Sequence, residues 1–288
     1  MKAIVGDLIA EQSIADAFVD RLSEKEWNET IHSDLRVYDI EGIWKIRDVV
    51  SHIAIFDEAA AQLAMGKAEQ IRDVTGGRMD EHLKYLPYLE LSKAELLQNW
   101  RESRTRLCSA LYDCEPKKRI PWAPGLPMSA RSLATARLME LWAHWVDIYD
   151  HLGVEITESA RLPHILFLSW QSRPNAYRIN GLELPDTPVY LELQLADGSQ
   201  WTRGEPNTEN YIKGKALDWA LVAVKRRNWM DTGLEVVGDE ARRYADVAQT
   251  FAGPADLSPL PKHIRCRRRQ QFIWRLAGNT HVWTIRAF

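Results

Sequence analysis

Apolar residues recur along this chain at two different periods. From residue 4 to 23 they fall at helical spacing, with Leu8, Ile9, Ile14, Phe18, Val19 and Leu22 on one side, and predict a first amphipathic helix. Trp27 to Gly42 reads as a connecting segment. A second helix is predicted from about Ile46 to Met65, where Val49, Val50, Ile53, Phe56 and Ala60 make the core face and His52 stands at its edge. Between Gly66 and Leu91 the pattern weakens and Gly76-Gly77 breaks it, so a long irregular connection is predicted. Ser92-Lys93-Ala94-Glu95 has the spacing of a capping box and opens a third helix through Leu96, Leu97, Trp100, Leu107 and Leu111. Pro116, Pro121, Pro124 and Pro127 predict a loop, because proline lacks the amide donor a helix interior needs.

Ser129 to Gly153 is the densest helical stretch. Ala134, Leu138, Leu141, Trp145, Ile148 and Leu152 form one stripe, and Trp142, Val146 and Tyr149 make a second side bulky. A helix apolar on nearly every side is buried. The stripe beside the first reads Leu133, Arg137, Glu140, His144, Asp147 and His151, so ionisable groups are carried inward. Buried charges cost several kcal/mol each unless paired or bound to a metal. Glu140 and His144, four residues apart, project one turn apart from one face and suit two ligands of a single ion. Such a pair also falls by chance on wet helix faces, and a lone histidine such as His52 also serves as a hydrogen-bonded core residue.

After Gly153 the period shortens. Val189 to Leu195 alternates as a half-buried strand does, Asp197-Gly198 is a hairpin turn signal, and Gln200 to Arg203 is the returning strand. Ala216 to Arg227 and Glu240 to Phe251 are predicted helices. The expected architecture is therefore α+β: an antiparallel four-helix bundle over residues 1–155, a smaller α+β domain over 156–253, and a basic tail over 254–288. In that tail Lys262, Arg265, Arg267, Arg268, Arg269, Arg275 and Arg286 follow the last acidic residue, Asp256, and read either as a nucleic-acid patch or as a solvated segment.

Composition narrows the class. With 45% apolar and 27% charged residues over 288 positions, two ordinary globular domains are expected. A net charge of −3 gives no reason to expect nucleic acid as a partner. Twelve tryptophans imply large packed interiors. Cys108, Cys114 and Cys266 form no CxxC pair, which suits reduced thiols in a cytoplasm. None has a neighbouring signal for thiolate activation, so thiol chemistry here needs a bound cofactor. The N-terminus lacks a signal-peptide layout, and no apolar run approaches the ~18 residues of a membrane span. A cytoplasmic protein with no membrane partner is expected. Pairing of two copies through an exposed helix face is left open.

Two segments carry a resemblance. Trp44, Arg47-Asp48-Val49 and His52, in WKIRDVVSHIAIFDEA, resemble the second helix of the DinB-like metal-binding bundles. PWAPGLPMSARSLATARLMELWAHWVDIYDHLG resembles the fourth helix of their mycothiol-dependent maleylpyruvate isomerase-like branch, whose remaining ligands match Glu140 and His144. The resemblance covers roughly residues 1 to 153. It implies His52, Glu140 and His144 as ligands of zinc, with nickel, iron or manganese also compatible with such donors. It also implies a low-molecular-weight thiol such as mycothiol, bound as thiolate, for S-transfer or isomerisation of a small electrophile. Two imidazoles and a carboxylate leave one tetrahedral position open, the pattern of a catalytic zinc.

Asp147 then orients an imidazole or accepts a proton, or is only a structural hydrogen-bond partner. Arg137 has the planar fork that holds a carboxylate, or pairs with Glu140. Residues 185–253 more weakly resemble the C-terminal domain that carries the tRNA wybutosine-synthesis label in some relatives, through DGSQWTRGEP and IKGKALDWALVAVKRRN. Lys213, Lys215, Lys225, Arg226 and Arg227 there form a modest basic surface or a solvated helix face. Two alternative functions remain at this level. One is a metal-dependent hydrolase using bound hydroxide; the other is a non-catalytic metal-binding module associated with RNA.

Overall fold

Four long helices close a ring, and the sequence sets the ends of most of them. In the computed structural model, which describes residues 1–31, 44–68, 88, 90–123, 126–256 and 259–262, these helices are α1 (Lys2–Asp20), α3 (Ile46–Ala64), α4 (Lys93–Tyr112) and α5 (Ala130–Leu152). A single turn, α2 (Glu24–Trp27), follows α1. The amide of Ser92 donates to Glu95 Oε2 at 2.8 Å and that of Glu95 to Ser92 Oγ at 3.3 Å, the expected capping box. Ser129 Oγ accepts from the Ser132 amide at 3.0 Å and starts α5.

Gly153 ends α5 at φ +67°, a left-handed conformation that a Cβ disfavours. Nothing lies within 4 Å of a Cβ built there, so the strain is purely backbone. Gly153→Ala is therefore expected to cost about 1 kcal/mol, read as a lower urea midpoint at unchanged m-value.

α1 packs along α4 and α5, and α3 along α4 and α5, which is the closed order of a four-helix bundle. Ala15, Val19, Trp27, Val49, Ile53, Leu97, Trp100, Leu141 and Trp145 share one buried cluster at its centre. Trp27, Trp100 and Trp145 thus fill this interior.

The proline-rich segment is not the plain loop expected of it. Arg119–Ala123 (β1) and Leu126–Ser129 (β2) pair antiparallel, with Arg119 opposite Ser129 and Ile120 opposite Met128, and the register slips before Ala123. A two-stranded ribbon has outer edges where no amide donor is required, and that is where Pro121 and Pro127 are tolerated.

Beyond Gly153 comes α6 (Leu162–Ile179), which the hydrophobic pattern did not predict. The sheet runs β4 (Gln200–Arg203), β3 (Tyr190–Gln194), β5 (Tyr211–Lys215), β6 (Glu235–Val237), with the expected β3–β4 hairpin and a parallel β3–β5 pair. α7 (Ala216–Ala223) stops four residues short of Arg227, because Lys225 turns left-handed at φ 61° and the amides of Arg226 and Arg227 fold back on the Leu221 carbonyl. α8 spans Asp239–Val247.

The result is the expected α+β class. The larger hydrophobic cluster runs from Ile4 to Ala248, so apolar side chains on both sides of residue 155 share one interior. Of the basic tail only 254–256 and 259–262 are described; Arg265, Arg267, Arg268, Arg269, Arg275 and Arg286 lie outside the described residues.

Candidate metal centre

His52 projects from the middle of α3, and Glu140 and His144 from successive turns of α5. The ring order of the bundle puts those two helices side by side. One ligand atom from each of the three residues lies within 4.8 Å of the others. His144 is buried, and His52 and Glu140 are half-buried. His144 Nε2 stands 3.6 Å from Glu140 Oε2, too long for a hydrogen bond. Two ligands of a tetrahedral zinc at ~2.0–2.1 Å from the ion stand about 3.3 Å apart, so the observed spacing fits an ion between them. Among the described residues this is the one cluster of three or more such groups close enough to share an ion.

The other imidazole nitrogen faces a different carboxylate. His144 Nδ1 lies 3.4 Å from Asp147 Oδ2, one turn on in α5. A proton on Nδ1 facing that carboxylate leaves the Nε2 lone pair on the Glu140 side. Burial pushes the His144 pKa down, Asp147 acts against it, and Arg226 adds to it. The neutral imidazole is the form that can ligate. Asp147 is itself gripped in two-point fashion by Arg226, whose Nε and Nη2 donate at 2.9 and 2.6 Å.

That contact corrects the reading of residues 213–227 as a basic surface. Arg226 is buried against Asp147, Arg227 donates twice to Asp150 at 2.7 Å, and Lys225 is buried with Nζ on the Asp246 carbonyl. Lys213, bridged to Glu192, and Lys215 remain at the surface, and Arg227 is half-buried. Asp147 of α5, largely buried, takes its cationic partner from this segment.

Arg137 does not pair with Glu140. Its Nε donates to Asp57 Oδ1 at 3.0 Å, and both side chains are only 2% exposed. Asp57 also accepts from the Trp100 indole at 3.1 Å. Burial pushes the Asp57 carboxyl up, while Arg137 and the indole act against that. The guanidinium carbon lies 5.9 and 6.0 Å from the ring centres of Phe56 and Trp122, at cation–π distance. His151 meets Glu29 at 3.2 Å. Burial raises the Cys108 thiol to about 12, so it is no nucleophile at neutral pH.

Comparison with known proteins gives the family. Residues 10–149, a span holding all three triad residues, match the mycothiol maleylpyruvate isomerase N-terminal domain. Two uncharacterized proteins of Mycobacterium tuberculosis strains are each 32% identical to the chain over 256 residues, covering 87% of it and 95% of the relative. The chain belongs to the mycothiol-dependent maleylpyruvate isomerase-like family. The fold agrees along most of its length. A solved mycothiol-dependent maleylpyruvate isomerase superposes with a TM-score of 0.51 at 15% identity, over 81% of this chain and 91% of that one. A mutant of such an isomerase gives 0.52 at 17% identity, over 78% and 89%.

In this family member the sequence pointed to the triad and to Asp147, but not to Asp57, Trp122 or Arg226. Asp57 carried a signal: a carboxylate four residues after Ile53, on the buried side of α3, needs a cation, and Arg137 was a candidate. Arg226 carried none. No helix among the described residues is long and apolar enough to cross a membrane.

Proposed function

We propose that this protein is a divalent-metal-dependent enzyme that joins a low-molecular-weight thiol to a small electrophile, for S-transfer or isomerisation. His52, Glu140 and His144 hold the metal, and the convergence of their ligand atoms within 4.8 Å carries this reading. Zinc suits two imidazoles and a carboxylate, and nickel, iron or manganese are alternative occupants. Bound there, the metal lowers the pKa of a coordinated thiol so that it reacts as thiolate. Mycothiol is the thiol of the family's name. The isolation of Cys108 from the reactive range supports a thiol supplied from outside the chain.

The chain's own residues set the geometry. Asp147 fixes the ring plane and tautomer of His144, and Arg226 fixes Asp147. Arg137 acts as an internal strut, holding Asp57 on α3 to α5 behind the site and backing the Phe56 and Trp122 rings. Asp147→Asn keeps the shape and removes the charge that polarises His144. It is expected to weaken metal affinity about 10- to 100-fold at unchanged helix content, measured by competition with a chromogenic chelator.

The reading is tested by elemental analysis of the purified chain followed by turnover assays with and without mycothiol. One divalent ion per chain and thiol-dependent consumption of electrophiles are expected. Hydrolysis of esters or amides at full rate with no thiol present would instead indicate bound hydroxide as nucleophile.

A further inference from the structure

Aromatic rings flank the triad, and one of them touches both imidazoles. Trp44, just before α3, has its ring centre 5.0 Å from that of His52 at 53° and 5.8 Å from that of His144 at 13°. The two imidazoles are themselves 4.7 Å apart at 64°. Phe56, one turn beyond His52 in α3, stands 4.7 Å from the His52 ring at 54°. These separations lie in the range over which ring pairs attract.

The indole is anchored through its own backbone. The Ile31 amide donates to the Trp44 carbonyl at 2.7 Å and the Ile46 amide to the Glu29 carbonyl at 3.1 Å, while Thr30 and Lys45 form an antiparallel bridge. The Lys45 amide donates to Asp48 Oδ2 at 2.8 Å at the start of α3. The Trp44 side chain is half-buried and packs against the cluster at the centre of the bundle. Main chain on both sides of Trp44 is therefore fixed.

A helix fixes where the Cβ of a histidine lies but not how its ring is turned, because the last torsion of that side chain is broad and roughly two-fold. The turn matters for an ion, since the lone pair of each nitrogen lies in the ring plane. Asp147 restrains His144 at the Nδ1 edge. The indole restrains the ring face, lying nearly parallel to His144 while tilted against His52. A second gain arises only with the metal bound: an imidazole that donates to a cation becomes electron-poor and is favoured over the face of an indole. We propose that Trp44 is a positioning residue of the metal centre, setting the ring planes of His52 and His144 so that both present a nitrogen to one ion. The role rests on the metal reading above and is independent of thiol and substrate.

Trp44→Leu removes the ring and keeps an apolar side chain. In competition with a chromogenic chelator, this variant of the full chain is expected to hold zinc about tenfold more weakly than the native chain at unchanged helix content, and Trp44→Phe to recover most of the loss. Cobalt(II) is the spectroscopic probe, because its visible bands are intense with four ligands and fade as water ligands are added. The native chain is expected to give the intense bands. Trp44→Leu, saturated with cobalt, is expected to give weaker ones, since rings free to turn admit water to the ligand set, and Trp44→Phe to restore them. An indole that only supported the fold would change stability and leave the spectrum of the saturated ion as it was. Trp44→Met repeats both measurements should the leucine variant lose helix content.

A native cobalt spectrum in the folded Trp44→Leu or Trp44→Met chain, whatever its stability, overturns the positioning role while the metal reading stands. Failure of the native chain to take up either zinc or cobalt removes the metal reading, and the role of Trp44 falls with it.

Discussion

His144→Ala is expected to lose the proposed metal and to slow thiol-dependent turnover at least about a thousandfold, matching the several kcal/mol that a Lewis acid contributes to such a step. The imidazole is the one buried member of the triad, and it touches both Glu140 and Asp147. Its removal leaves two half-buried donors, and Asp147 has no imidazole left to orient. Elemental analysis of the purified variant reads the first effect, and single-turnover kinetics with mycothiol reads the second. His151→Ala serves as the control, since His151 contacts Glu29 instead. It should keep both metal and activity. Undiminished metal in His144→Ala, with circular dichroism showing a folded chain, would remove this histidine from the centre.

The second large effect concerns stability. Asp57→Ala leaves the Arg137 guanidinium, 2% exposed, without its carboxylate and leaves the Trp100 indole without its acceptor. Breaking one side of a buried ion pair costs about 3–5 kcal/mol. Arg137→Met is expected to cost a similar amount by stranding Asp57. Replacing both at once, with Asp57→Leu and Arg137→Met, removes the uncompensated charge and should recover most of the loss, because a well-packed apolar pair is often as stable as the ions. Urea denaturation of the two single variants and the double variant closes the cycle. A different result would reassign Arg137. If Arg137→Met leaves stability untouched and raises only the KM for a carboxylate-bearing substrate, the side chain serves as a substrate clamp and not as a strut.

Periodicity alone was enough for the bundle. Helical spacing is a local property, so the four long helices emerge within a few residues of their expected ends, fixed by the Ser92–Glu95 box, Ser129 and Gly153. A spacing of four on one helix also guarantees that Glu140 and His144 share a face, and the WKIRDVVSH motif brought His52 to the same question. The misses share a cause. α6 carries Pro174 in its interior, which argues locally against a helix, yet packing of Leu162, Ile165 and Leu166 into the common interior holds it. β5 contains Lys213, Gly214 and Lys215 and reads as a poor strand; it forms because β3 and β6 take up its backbone groups on either side.

The charged partners were the least legible of all. Arg137 and Asp57 are 80 positions apart, and Arg226 and Asp147 are 79 apart. The order of residues determined the four bundle helices and which side of each is apolar. Only the folded arrangement decided which buried charge meets which, because each pairing is imposed by loss of water at a contact between distant segments and leaves no period in the chain.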